Sequence, residues 1–365
     1  MSEEQRKTLG PWVNLPAIGC IVYDEGNPAE APGLVRAWIS ELIEGLAIPE
    51  RELKLIARIG ARWRAFAWRA VDDAIGDPEV QSLNLLVGTP VEVHLAAELA
   101  LRSFRPAFAP PYATSWLIAE TERWPADRLA AIGRRWLTLA ATHGTPVSGG
   151  VFAATTLRNA RMEASLAQEA DDGELFTPAE TLFRDRLQDH ADDASTKLRR
   201  LYPITLLGRR FASPANAELL RNAGARRVEP IGESLIVEAD APMMPAWSPE
   251  FLASTVDLRR LLWPFSLQNP ADAEALGLDV RFELRDKPFH PSPNVPDYDK
   301  HIKQVRALLA RERKELAALI AAVRSRPRVR AELVRPMPER ERPPDEPLPE
   351  RPTRRRKPQK LGDLF

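Results

Sequence analysis

Two strand-like stretches of mostly apolar residues, 228–231 and 235–239, stand back to back around Gly232-Glu233. A glycine-containing link that short lets a strand reverse only onto its antiparallel neighbour, so the spacing predicts a β-hairpin. Strands of an all-parallel sheet need a long crossover between them, which this stretch lacks. Elsewhere strand and helix patterns interleave irregularly and no repeat of fixed period occurs. The expected class is therefore α+β, with a mixed, largely antiparallel sheet or sheets packed by amphipathic helices.

The run 17–23 is short and apolar and ends at Asp24-Glu25-Gly26-Asn27-Pro28, which predicts a strand and a turn. Leu34, Val35, Trp38, Ile39, Leu42, Ile43 and Leu46 recur at three- and four-residue spacing and predict a helix over 31–46. The segment 51–73 mixes Trp63, Phe66 and Trp68 with arginines; a helix is the preferred reading, a helix followed by a strand the alternative. Strands are expected at 82–87 and 112–122, with Trp116 and Ile118 on one face and Ser115, Leu117 and Ala119 on the other. Leu129, Ile132, Trp136, Leu139 and Ala140 stripe a helix over 125–143, with Pro125 in its first turn and Gly144 as C-cap. A strand over 147–154 holds Gly149-Gly150, which permit close backbone approach. One or two surface helices are expected in the polar stretch 159–197. A strand over 204–207, a helix over 214–222 closed by Gly224, and a helix over 250–263 complete the pattern.

Beyond 286 the character changes. Pro288, Pro291, Pro293 and Pro296 predict a linker over 287–297. Ile302, Val305, Leu308, Leu309, Leu316, Leu319, Ile320 and Val323 stripe a charged helix over 298–325. The final 42 residues carry 9 prolines among Arg and Glu, so a disordered basic tail is expected over 326–365. The first 286 residues then form one α+β domain.

Charge is balanced overall, at 51 basic and 51 acidic residues, but not evenly placed. From Arg324 onward there are 13 basic and 7 acidic residues, leaving the body at −6 against a tail at +6. A single cysteine, Cys20, excludes an intramolecular disulfide and a thiolate cluster. Its apolar neighbours predict a buried strand thiol. The polar start MSEEQRKTLG reads as no secretory signal, and no run approaches the ~20 apolar residues of a membrane helix, so a cytoplasmic location is expected.

Catalytic constellations are not evident. His94, His143, His190, His290 and His301 form no ligand pair at helical spacing, and there is no H-E-x-x-H, G-x-S-x-G or phosphate-cradling glycine loop. Asp185, Asp189, His190, Asp192 and Asp193 carry the donor types of a divalent-ion site, but a charge run of this kind is ordinarily a solvated face. His290, Asp297, Asp299 and His301 lie in the linker, a poor place for a preorganised site. Asp171-Asp172-Gly173-Glu174 lacks calcium-loop spacing and reads as a turn. Ser148 has only His143 nearby in sequence as a base, so a structural role is expected. Trp63 and Trp68 beside arginines suggest a stacking platform, with core packing the plainer reading. Arg354, Arg355, Arg356 and Lys357 form the run with a real pull on phosphates, where weak nucleic-acid contact is conceivable.

Several phrases between 17 and 270 resemble the type VI secretion immunity family (TsiV-like). They are AIGCIVYDEGNPAEAPGLVRAWISEL, YATSWLIAETERWPADRLAAIGRRWLTLAATHGTPVSGGVF, LYPITLLG and GARRVEPIGESLIVEADAPMMPAW. Tyr202-Pro203 stands where the family usually has a tryptophan, and Asn222-Ala223-Gly224 replaces a Gly-Gly pair. The resemblance implies an inhibitor rather than an enzyme: a protein with no cofactor, metal or catalytic residue, which binds and occludes a cognate antibacterial toxin. An acidic body would suit a basic partner such as a nuclease. Two other readings stay open: a metal-dependent enzyme using Asp185–Asp193, and a scaffold acting through the C-terminal helix and tail.

Overall fold

The computed structural model describes residues 15–60, 62–89, 92–103, 113–165, 198–246 and 248–266. The strands are β1 (Ala17–Asp24), β2 (Leu53–Ile59), β3 (Arg62–Phe66), β4 (Val80–Thr89), β5 (Glu92–Ala100), β6 (Ala113–Glu120), β7 (Pro146–Ala154), β8 (Ile204–Leu207), β9 (Ala225–Ile231) and β10 (Ser234–Ala239). They form one ten-stranded sheet in the order β3-β2-β4-β5-β6-β1-β7-β8-β10-β9. Every neighbouring pair is antiparallel. With seven helices among the described residues, the class is α+β as the sequence predicts.

The helices are α1 (Pro32–Leu46), α2 (Val71–Gly76), α3 (Ala126–His143), α4 (Leu157–Ser165), α5 (Pro214–Asn222), α6 (Pro249–Ser254) and α7 (Val256–Leu262). All eight residues of β1 are buried, because both faces of the sheet are covered at its centre. On one side Ile18, Cys20 and Val22 meet Trp38 of α1 and Ile132, Trp136 and Leu137 of α3. On the other, Ile21 and Tyr23 meet Phe152, Tyr202 and the apolar face of α4. Gly133 lets α3 approach the sheet closely, since a Cβ there would press into Val151. Cys20 is a buried strand thiol, as expected, and its Sγ donates to the Gly133 carbonyl at 3.6 Å.

Most expected elements are present, with shifted ends. The helix over Pro32–Leu46 and the hairpin across Gly232 (φ 55°) are where periodicity puts them. Trp116 and Ile118 share one face of β6, with Leu117 and Ala119 on the other. Pro125 is the N-cap of α3 rather than a residue of its first turn.

Four expectations need correction. The preferred helix over 51–73 is instead a hairpin, β2–β3, followed by a short 3-10 turn and α2. Its pattern alternates: Leu55 and Ala57 enter the helix-covered core while Ile56 faces the other, and Gly60 (φ 58°) makes the turn. β5, whose Leu95, Ala97 and Leu99 alternate inward, has no counterpart in the sequence reading. The surface helices expected over 159–197 lie mostly outside the described residues, but the start of that stretch falls in α4, whose Leu157, Ala160 and Ala164 are fully buried. The helix expected over 250–263 breaks at Thr255 (φ −116°, ψ 18°) into α6 and α7.

Candidate functional site

Several sequence candidates lie outside the described residues: the Asp185–Asp193 set with His190, the linker set His290, Asp297, Asp299 and His301, the turn Asp171-Asp172-Gly173-Glu174, and the run Arg354, Arg355, Arg356 and Lys357. Among the described residues, no group of three or more His, Cys, Asp or Glu is placed to hold a metal ion. Ser148 sits in a strand rather than a turn, paired with Tyr23 across β1–β7. It is buried, and its Oγ has no hydrogen-bond partner. Its face looks toward α4, whereas His143 ends α3 on the opposite side of the sheet and is exposed. The sheet itself separates that serine from that imidazole.

What the sequence reading missed is a buried ionic cluster beneath α4. The Glu163 carboxylate lies 3.2 Å from Arg199 Nε and 3.2 Å from Arg200 Nε. It also accepts from the Tyr202 hydroxyl at 2.7 Å, and Arg199 Nη1 donates to the Tyr23 hydroxyl at 3.0 Å. Burial raises both tyrosines above the ordinary phenol range, so they stay protonated. Burial alone would lower the Arg199 guanidinium, but neighbouring Glu163 outweighs it and keeps it charged. A buried charge persists when it is paired and hydrogen-bonded; Arg199 donates to Tyr23 and Glu163, while the Nε atoms of Arg199 and Arg200 lie at ion-pair distance from Glu163 without a hydrogen bond. The signal was available: Leu157, Ala160 and Ala164 define the inward stripe of α4, and Glu163 falls on it.

The two edges of the sheet differ. At the β9 edge, Pro230 removes a main-chain donor. Its arginines are also paired: Arg226 with Glu238 at 2.8 Å and Arg227 with Glu229 at 2.8 Å, while Arg134 of α3 reaches both glutamates. Burial alone would raise the Glu238 carboxyl, yet Arg226 and Arg134 hold it below the ordinary glutamate value. Among the described residues, the β3 edge has neither a proline nor an ion pair of this kind. Arg62 and Arg64 are exposed and make no ion pair among the described residues, and Ala65 is exposed between half-buried Trp63 and Phe66. Arg62, Arg64 and Phe66 share one face through their partners Ile59, Ala57 and Leu55. Trp63 lies on the other face, beneath the Arg58 guanidinium at 5.7 Å. From Leu53 to Val71 the chain holds five basic residues and no acidic one. The Trp63–arginine juxtaposition noted in the sequence is thus a surface feature, with Trp63 packing only partly into the core.

No protein-family model matches this chain, and no curated protein does. A solved structure of a Pseudomonas aeruginosa T6SS protein is similar over 69% of this chain and 73% of that one, at 14% identity and a TM-score of 0.45. Among the described residues no helix is long and apolar enough to cross a membrane.

Proposed function

We propose that this chain is an immunity protein that binds a cognate antibacterial toxin and neutralises it by occlusion, without catalysis of its own. One observation carries the reading. The phrases resembling the type VI secretion immunity family are scattered from 17 to 247, yet they fold into six adjacent strands, β6-β1-β7-β8-β10-β9, backed by α1 and α3. A chance set of local likenesses would have no reason to assemble into six contiguous strands of a ten-stranded sheet. The other four strands, β3-β2-β4-β5, lie outside those phrases and end in the basic β3 edge, which nothing among the described residues covers. A shared scaffold bearing a divergent flank suits a protein that must recognise one partner among many.

The test is co-expression with the product of the adjoining reading frame in a susceptible bacterium. A stable complex on size exclusion and restored growth are expected. Protection should persist when Asp185, Asp189, Asp192 and Asp193 are all changed to alanine, since the reading gives them no role. A chain that forms no complex and rescues no growth, or a purified chain that turns over a substrate, overturns the proposal.

A further inference from the structure

We propose that the β3 edge is a contact strand that accepts an acidic, extended segment of the partner as a further strand of the sheet. This deepens the immunity reading by naming the chemistry of the partner's contact, and it stands on the geometry of β3.

An edge strand presents a row of main-chain N–H and C=O groups, and natural sheets cover or blunt such rows. The β9 edge is blunted by Pro230 and laced with ion pairs. β3 pairs on one side only, with β2, and among the described residues nothing adds to its other side. Its exposed side chains decide which strand can join it. Arg62 and Arg64 point to one face two residues apart, so an incoming strand would set two acidic side chains at the same two-residue interval, about 6.8 Å apart, against them. Opposite charges placed across a strand pair stabilise it, and like charges destabilise it. Half-exposed Phe66 on that face and Trp63 on the other offer apolar contact to the remaining side chains of the guest.

A second copy of this chain is a poor guest for the same reason. An antiparallel self-pair centred on Trp63 would put Arg62 opposite Arg64, and one centred on Arg64 would put that arginine opposite itself. Nor is the −6 of the body a guide to this contact, because the edge carries the opposite sign. The acidic body favours a basic partner at long range, but the contact strand selects an acidic segment of it. Nucleic acid would use the arginines and Trp63 but not the open main-chain row, and the experiment separates the two.

The full chain is titrated against a fluorescein-labelled decapeptide of alternating valine and glutamate, with hydrogen exchange followed over 62–66. Saturable, salt-sensitive binding with slowed exchange across β3 is expected. Arg62→Glu/Arg64→Glu should weaken it at least about tenfold and instead accept the valine–lysine decapeptide, a charge-swap rescue that an unfolded variant could not give. Absence of binding, binding with unchanged exchange over 62–66, or tighter binding of a ten-residue thymidine oligonucleotide overturns the proposal. Toxin protection that survives in Arg62→Glu/Arg64→Glu sinks the edge and leaves immunity standing. Peptide binding by a chain that protects against no toxin supports the edge and sinks immunity.

Discussion

The indole of Trp38 donates to the main-chain carbonyl of Trp136 at 3.0 Å, and the indole of Trp136 donates to the carbonyl of Trp38 at 3.1 Å. The rings stack at 5.2 Å between centroids, and neither is exposed. This reciprocal exchange clamps α1 to α3 and holds the helix layer over the centre of the sheet. Both indole donors, which would cost free energy if buried unpaired, are satisfied by the other helix.

Trp38→Ala is therefore expected to destabilise the fold by about 3–5 kcal/mol, from lost burial and the cavity left behind. Trp38→Phe keeps most of the apolar area and loses one hydrogen bond, so about 1–2 kcal/mol is expected. Urea unfolding of the two variants checks the order. Equal losses would show that the clamp is packing alone.

Glu163→Gln leaves Arg199 and Arg200 buried without their shared counter-charge. A loss of about 3–5 kcal/mol is expected, against about 1 kcal/mol for Tyr202→Phe, which removes one hydrogen bond from a cluster that keeps its charges. Denaturant unfolding measures both. A near-neutral Glu163→Gln would mean that the arginines' other contacts are enough to hold their charge.

Gly150 lies under the Tyr202 ring, and a methyl there would overlap the ring's own atoms. Gly150→Ala must displace Tyr202 and break its bond to Glu163, so about 3 kcal/mol of destabilisation is expected. A loss below about 1 kcal/mol, with unchanged near-ultraviolet dichroism, would refute this account.

Glu238 gives the pH dependence. A carboxylate whose folded-state pKa is depressed contributes stability that is present above its unfolded pKa and lost as pH falls through the folded value. The unfolding free-energy gap between wild type and Glu238→Gln should be largest near neutral pH and shrink below about pH 4.3, the ordinary glutamate value. Paired urea titrations at neutral and acid pH read it. A gap that widens on acidification would reverse the sign argued here.

Cys20 is 1% exposed, and burial pushes its thiol pKa up, so little thiolate forms and none of it is accessible. Ellman's reagent should label native protein no faster than it unfolds, then label one thiol fully in denaturant. Rapid labelling of the native state would contradict the packing of β1 under α3.

Patterns confined to one element were legible in the chain. The stripes of α1 and α3, the alternation in β6 and the hairpin at Gly232 each follow from local spacing, because a regular element repeats its buried side at its own period. The segment 51–73 was misread because Trp, Arg and Ala there fit a helix about as well as a strand. Only pairing with β4 shows which side of Leu55 and Ala57 is covered. The candidate sites divide in the same way. Arginines and tryptophans around Trp63 were visible in the sequence, but not that they line the end strand of the sheet among the described residues, since edge or centre depends on strand order.

The sequence alone determined that this chain would reverse on itself into antiparallel strands, bury its cysteine and clothe the sheet with amphipathic helices, because backbone geometry and side-chain period are settled within a few residues. The tertiary structure alone decided that β1 would lie at the centre, that Glu163 would meet Arg199 and Arg200 from 36 residues away or more, and that β9 with its Pro230 would end the sheet on one side and β3 on the other. Those outcomes depend on which distant surfaces exclude water together, and burial shared between remote segments leaves no period for a reader of the chain to follow.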